Sequence, residues 1–229
     1  MTSSMTRCLV PMAAAALVLL SGCNGSDDAD PAAKASGTPT ASATPSAPPV
    51  DPTQIACKML TASDRSTLAG SAVDEVVAAS GTDGGSQCRW QAAAAVIQVT
   101  TLPAKEWAKS LPDVVKKIES SSAAASDADK KDLEAAKKLL SGAESFTDKQ
   151  ACQAFTTLAE LDGDPKGTTT TVTVIPITDT ESGISAQACE DGELTSVLYS
   201  IPGLKETPAI DKTVTTILER AQKRYAAAQ

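Results

Sequence analysis

The spacing of hydrophobic positions switches from helical to extended and back twice along residues 53–229. Residues 53–69 read as a helix that contains Cys57 and stops at Gly70. Ala72–Ala78 predicts a strand, Gln87–Ala92 a second carrying Cys88 and Trp90, and Ala95–Leu102 a third that alternates Val with polar residues. Pro103 then opens a helical region through Trp107, Val114, Val115 and Ile118, which Pro112 is expected to break or restart.

The later half follows the same order. Thr147 and Gln150 form a capping-box pattern at the head of a helix with Cys152, Phe155, Leu158 and Leu161, which stops at Gly163. Thr168–Thr178 is rich in β-branched residues and predicts a strand. Ile184–Glu190 carries Cys189, Asp191-Gly192 is a type I′ hairpin signal, and Leu194–Ile201 returns. Thr207-Pro208 starts a last helix whose Ile210, Val214, Ile217, Leu218, Ala221 and Tyr225 share one face. The expected fold is therefore α+β, an α/β sandwich of two similar halves, 53–122 and 147–229, each a helix, three antiparallel strands and a helix. A charged helix over 127–141 links them.

The chain ahead of this domain is different in kind. Residues 1–22 have Arg7 as their one charge, an apolar run from Leu9 to Leu20, and small residues Ser21 and Gly22. That run is shorter than the roughly 20 residues of a membrane span and reads as a signal peptide. Leu20-Ser21-Gly22-Cys23 resembles the lipobox of bacterial lipoproteins. The resemblance implies cleavage before Cys23, diacylglycerol on its thiol, further acylation such as palmitate, and anchoring on the outer face of the cytoplasmic membrane. Residues 24–52 are almost all Gly, Ser, Asp, Ala, Thr and Pro with no aromatic residue, a composition expected to remain a disordered tether after the lipidated cysteine.

Export changes the meaning of the cysteines. Cys8 leaves with the leader and Cys23 carries lipid, so Cys57, Cys88, Cys152 and Cys189 are left as an even set in an oxidising compartment, where two disulfides are expected. The repeat makes Cys57 with Cys88 and Cys152 with Cys189 the natural pairs, with the two other connectivities open. Zinc is not expected: the spacings of 31, 64 and 37 residues contain no C-x-x-C, and the chain has no histidine. The net charge of −8 opposes phosphate backbones and argues against a nucleic-acid partner.

An early cysteine in a helix ending Leu68-Ala69-Gly70, then Cys88-Arg89-Trp90, then an alternating strand, resembles a domain family of actinobacterial lipoproteins over about residues 56–118. That family has no established activity, so the resemblance assigns no site residue. It implies a secreted α/β sandwich, similar to the Mog1/PsbP-like folds, with a role in the cell envelope.

Little in the sequence points to chemistry. Absence of histidine removes Ser-His-Asp and Cys-His catalysis, and no G-x-S-x-G, S-x-x-K, P-loop or G-x-G-x-x-G is present. Asp162-Gly163-Asp164-Pro165-Lys166-Gly167 partly copies a calcium loop, but Lys166 and Thr173 stand where oxygen ligands are needed, and a helix-to-strand turn is the better reading. Trp90 and Trp107 are candidates for a ligand groove, with core packing the commoner role for such residues. No catalytic residue, cofactor or metal is assigned. The expected function is a non-enzymatic binding or interaction module for an unidentified envelope protein or small ligand. A histidine-free hydrolase or transferase and an accessory protein for a transporter are the alternatives.

Overall fold

A computed structural model describes residues 50–82, 84–120, 126–177 and 181–229. The leader, Cys23 and residues 24–49 of the tether lie outside the described residues. Two short helices, α1 (Ile55–Met59) and α2 (Ala62–Ala69), precede the meander β1 (Glu75–Thr82), β2 (Gly85–Ala92) and β3 (Ala95–Pro103). Helices α3 (Ala104–Ser120), α4 (Asp127–Leu139) and α5 (Asp148–Asp162) follow, with a 3₁₀ turn at Ala143–Ser145. A second meander, β4 (Thr170–Pro176), β5 (Ser182–Glu190) and β6 (Glu193–Ser200), leads into α6 (Pro208–Ala228).

Local signals explain most of these boundaries. Thr61 and Asp64 close a capping box at α2, and Thr147 and Gln150 close the one expected at α5. Thr207 caps α6, with Pro208 at its first position. The β5–β6 turn places Asp191 at φ 49° and Gly192 at φ 85°, the positive pair that a type I′ turn requires. Two expectations change. The single helix over 53–69 is broken at Leu60, which is extended so that Thr61 can cap anew. Pro112, by contrast, does not interrupt α3, which runs through it for 17 residues.

Both meanders join in one antiparallel sheet of order β1-β2-β3-β6-β5-β4, with β3 and β6 paired at the centre. Helices cover both faces, so the α/β sandwich is as expected, but the two halves are built on opposite faces. Side chains alternate across a strand. Cys88 lies in one row with Val99, Val197 and Ala186, on the face covered by α1, α2 and α6. Cys189 lies in one row with Leu194 and Leu102, on the face where α3, α4 and α5 pack. Disulfides join Cys57 to Cys88 and Cys152 to Cys189, so each pins the helix that opens its half, one from each side of the sheet. Element order repeats between the halves while the layers exchange.

A charged cluster ties α2 to α6 on the first face. The Asp64 carboxylate is 3 % exposed, accepts from Thr61 and lies 3.3 Å from Arg220 and 2.8 Å from Arg224. Arg65 donates to the carbonyls of Val73 and Leu60, pairs with Asp74 and lies over the Trp90 ring. Burial pushes the Asp64 carboxyl up, but the bonds from Thr61 and the charges of Arg224 and Arg220 outweigh it and hold the group below its ordinary 3.8. Its contribution is therefore present above about pH 4 and lost as pH falls through the lowered value. Asp64→Asn should cost about 1 to 2 kcal/mol at neutral pH, and wild-type and variant urea midpoints should converge in acid. A gap independent of pH would exclude the carboxylate as the source.

Candidate functional site

Each face of the sheet has an apolar layer, but on the second face that layer ends early. Its sheet residues are Leu102, Leu194 and Cys189, at the end where α3 and α5 begin. The next two rows toward the other end are polar across five strands. One row runs Gln87, Thr100, Ser196, Gln187, Thr171, and the other runs Arg89, Gln98, Leu198, Ser185, Thr173. Nine of these ten side chains are polar, and Arg89 is the one that carries charge.

Apart from Leu198, the band's side chains are polar, and none of the ten belongs to either apolar cluster. Gln98, Thr100, Thr171, Ser185, Gln187 and Ser196 are nevertheless buried, Ser185 and Gln187 to 1 % exposure. They satisfy one another poorly. Ser185 and Ser196 hydroxyls are 3.3 Å apart, Gln98 Nε2 donates to Thr100 at 3.4 Å, and Gln187 Nε2 donates to Ser185 at 3.5 Å. All three exceed the usual 2.7–3.2 Å. Arg89 Nε, Thr171 Oγ1, Thr173 Oγ1 and Gln187 Oε1 are buried with no hydrogen-bond partner. Such an orphan costs about 1 to 3 kcal/mol, and four of those found among the described residues gather on this one face of the sheet. Two further orphans, Trp107 Nε1 and Asp211 Oδ1, lie outside the band.

The band opens at the side of β2. There a cavity of about 210 Å³ lies between Ser80, Gln87 and Thr100 of the sheet and Glu106 and Ser110 on the first turns of α3. α3 is held in place at its start, where Ala104 N donates to the Gly192 carbonyl and Lys105 N to Asp148 Oδ1. At the opposite end, β4 leaves Thr173 half-buried.

A larger groove of about 680 Å³ lies on the first face between the last turns of α6 and the β5–β6 hairpin. Glu190, Asp191, Glu193 and Glu219 make it acidic, with Lys223 and Tyr225 beside them. Burial pushes the Glu193 carboxyl up, against hydrogen bonds from Thr101 and Tyr225. Among the described residues, no orphaned polar atom belongs to the residues that line this groove. It is an acidic cleft lined mainly by charged and polar side chains.

The residues singled out in the sequence fall elsewhere. Trp107 is fully buried in the second core, 5.7 Å from the Phe155 ring, and Trp90 is 2 % exposed beneath Arg65. Both are core residues, and neither lines the cavity or the groove, which corrects the expectation that Trp90 or Trp107 lines a ligand groove. The Asp162–Gly167 segment is a helix stop. Gly163 caps α5 at φ 107°, Asp164 N donates to the Ala159 carbonyl, and Gly167 N donates to Glu160. Among the described residues no group of three or more Cys, Asp or Glu is placed to hold a metal, and no helix is long and apolar enough to cross a membrane.

The polar band was missed in the sequence although its signal is there. Polar residues recur at every second position in Gln87/Arg89, Gln98/Thr100, Thr171/Thr173 and Ser185/Gln187. Period-two polarity gives a face of each strand, but only the pairing register brings those faces into one surface. No family model matches the chain, and no curated protein or solved structure matches it either.

Proposed function

We propose that this chain is an exported lipoprotein, held by lipid on Cys23 at the outer face of the cytoplasmic membrane, whose domain is a non-enzymatic binding module of the cell envelope. The polar band on the second face is its binding surface. The observation that carries this reading is the gathering of Arg89 Nε, Thr171 Oγ1, Thr173 Oγ1 and Gln187 Oε1, buried and unpartnered, on that one face. Binding is favoured over acid–base catalysis because the band holds no carboxylate, lysine or cysteine to move a proton or attack a substrate. A role in carrying apolar cargo is less well supported, since hydroxyls and amides dominate the band.

The leader supports the anchoring. Cys23→Ala should abolish incorporation of labelled fatty acid and release the protein from membranes on fractionation. Retained label in that variant would overturn the anchor. The module itself is tested by crosslinking in intact cells followed by native mass spectrometry. A retained ligand or partner that Gln187→Ala releases is expected, whereas turnover of an envelope substrate with no bound species would contradict a binding role.

A further inference from the structure

The sheet ends at β4, and its hydrogen bonds show which groups that strand turns outward. Cys189 N donates to the Thr169 carbonyl and Ile177 N to the Glu181 carbonyl, so the odd-numbered residues between Thr169 and Ile177 bond to β5. Thr170, Val172 and Val174 therefore direct both N–H and C=O away from the sheet, while Pro176, in the same phase, offers a carbonyl alone. Among the described residues no strand pairs with that side. Proteins usually blunt such an edge with charge or a bulge. β1, at the other end of the sheet, has a bulge between Val76 and Ala78 and begins with Glu75. β4 is unbulged and uncharged. Val174 and Ile177, two of the three large hydrophobics left exposed among the described residues, lie on it and just beyond it.

This edge is complementary to itself. In an antiparallel pair of two β4 strands centred on Val172, Thr170 meets Val174, Val172 meets its own counterpart, and Val174 meets Thr170. Each pair exchanges two backbone hydrogen bonds, so every outward N–H finds a carbonyl. Shifting the register one way puts Thr170 opposite Pro176, which has no N–H. Shifting it the other way puts Val174 opposite Thr168, whose N–H is held by the Pro165 carbonyl. The central register also sets Thr171 of one copy opposite Thr173 of the other, two residues whose hydroxyls have no partner within the chain. β4 carries no charge, so no like charges come opposite each other although the chain is −8 overall. The contact lies in the plane of the sheet and needs no room above either face. An extended segment of another protein also pairs with an edge, but this two-fold fit of donors, acceptors and threonines is a property of β4 with itself.

We infer that two copies of this chain associate edge to edge through β4, across a two-fold axis at Val172, into one continuous antiparallel sheet. This pairing does not depend on the polar band being a binding surface. Val172→Cys in the full-length protein, oxidised mildly in intact cells, tests it, because the domain's own cysteines are already paired with one another. A non-reducing gel should show a species of twice the chain mass that reductant removes. Ile175→Cys, whose symmetry mate lies about 20 Å away in this register, should give none. Adding Val174→Pro to Val172→Cys removes an outward N–H and no bond to β5, and should cut the crosslinked species about tenfold. A thermal melt separates that loss from unfolding, and the comparison of Val172→Cys with Ile175→Cys decides the matter without the proline. Equal crosslinking at both positions, or none at Val172→Cys, would overturn the pairing. Linkage of Val172→Cys to a protein of another mass would overturn the second copy in favour of a foreign strand.

Discussion

Replacing Cys57, Cys88, Cys152 and Cys189 together with alanine should lower the unfolding free energy by about 7 kcal/mol, with each pair contributing about 3 to 4 kcal/mol. The two bridges close separate loops, of sequence separation 31 and 37, and they sit on opposite faces of the sheet. Their effects should therefore add. Since domains of this kind have about 5 to 15 kcal/mol in hand, the fourfold variant should be marginal or unfolded at 25 °C, while each paired variant remains folded. Urea titrations of the three variants measure this. A fourfold variant within about 1 kcal/mol of wild type would mean that neither bridge restrains the unfolded chain.

The second large effect is expected at Trp107. Its ring is fully buried among α3, α5 and the 3₁₀ turn, and it contacts Phe155 in the layer that ends beside the polar band. Trp107→Ala should cost about 3 to 5 kcal/mol. Trp107→Phe should cost far less, because the indole nitrogen has no partner and its removal also removes a desolvated donor. Calorimetric unfolding separates the two substitutions. Equal losses in Phe and Ala variants would show that the indole nitrogen has a bonding role.

These expectations show where local chemistry was legible in the sequence. Caps and turns were, because Thr147, Gly163, Asp191-Gly192 and Thr207-Pro208 each act within a few residues. The order of strands was legible too, since short meanders join neighbours. The break at Leu60 was missed because Thr61 and Asp64, the two residues of the new capping box, fall inside a stretch whose apolar spacing reads as one continuous helix. Pro112 was misjudged because a proline late in the first half of a well-packed helix is held by Leu111, Val114 and Val115 on the buried side. The exchange of layers could not be read. It depends on whether Cys88 and Cys189 share a row parity, and that is fixed by the register of β3 against β6, about 100 residues apart.

The polar band has the same origin. Gln98 or Ser185 alone reads as the solvent side of a strand. Only when β3 pairs with β6 do Arg89, Gln98, Leu198, Ser185 and Thr173 become one row. Seen singly, each is an ordinary surface residue, and the cost of burying it unpartnered appears only in the assembled sheet.

The most direct test of the binding surface is a high-resolution crystal structure of the protein purified from its own membrane without refolding. Ordered non-protein density should lie on the second face and complete hydrogen bonds to Arg89 Nε, Thr171 Oγ1 and Gln187 Oε1. A bare band, with those same atoms bonded to other protein groups, would contradict it.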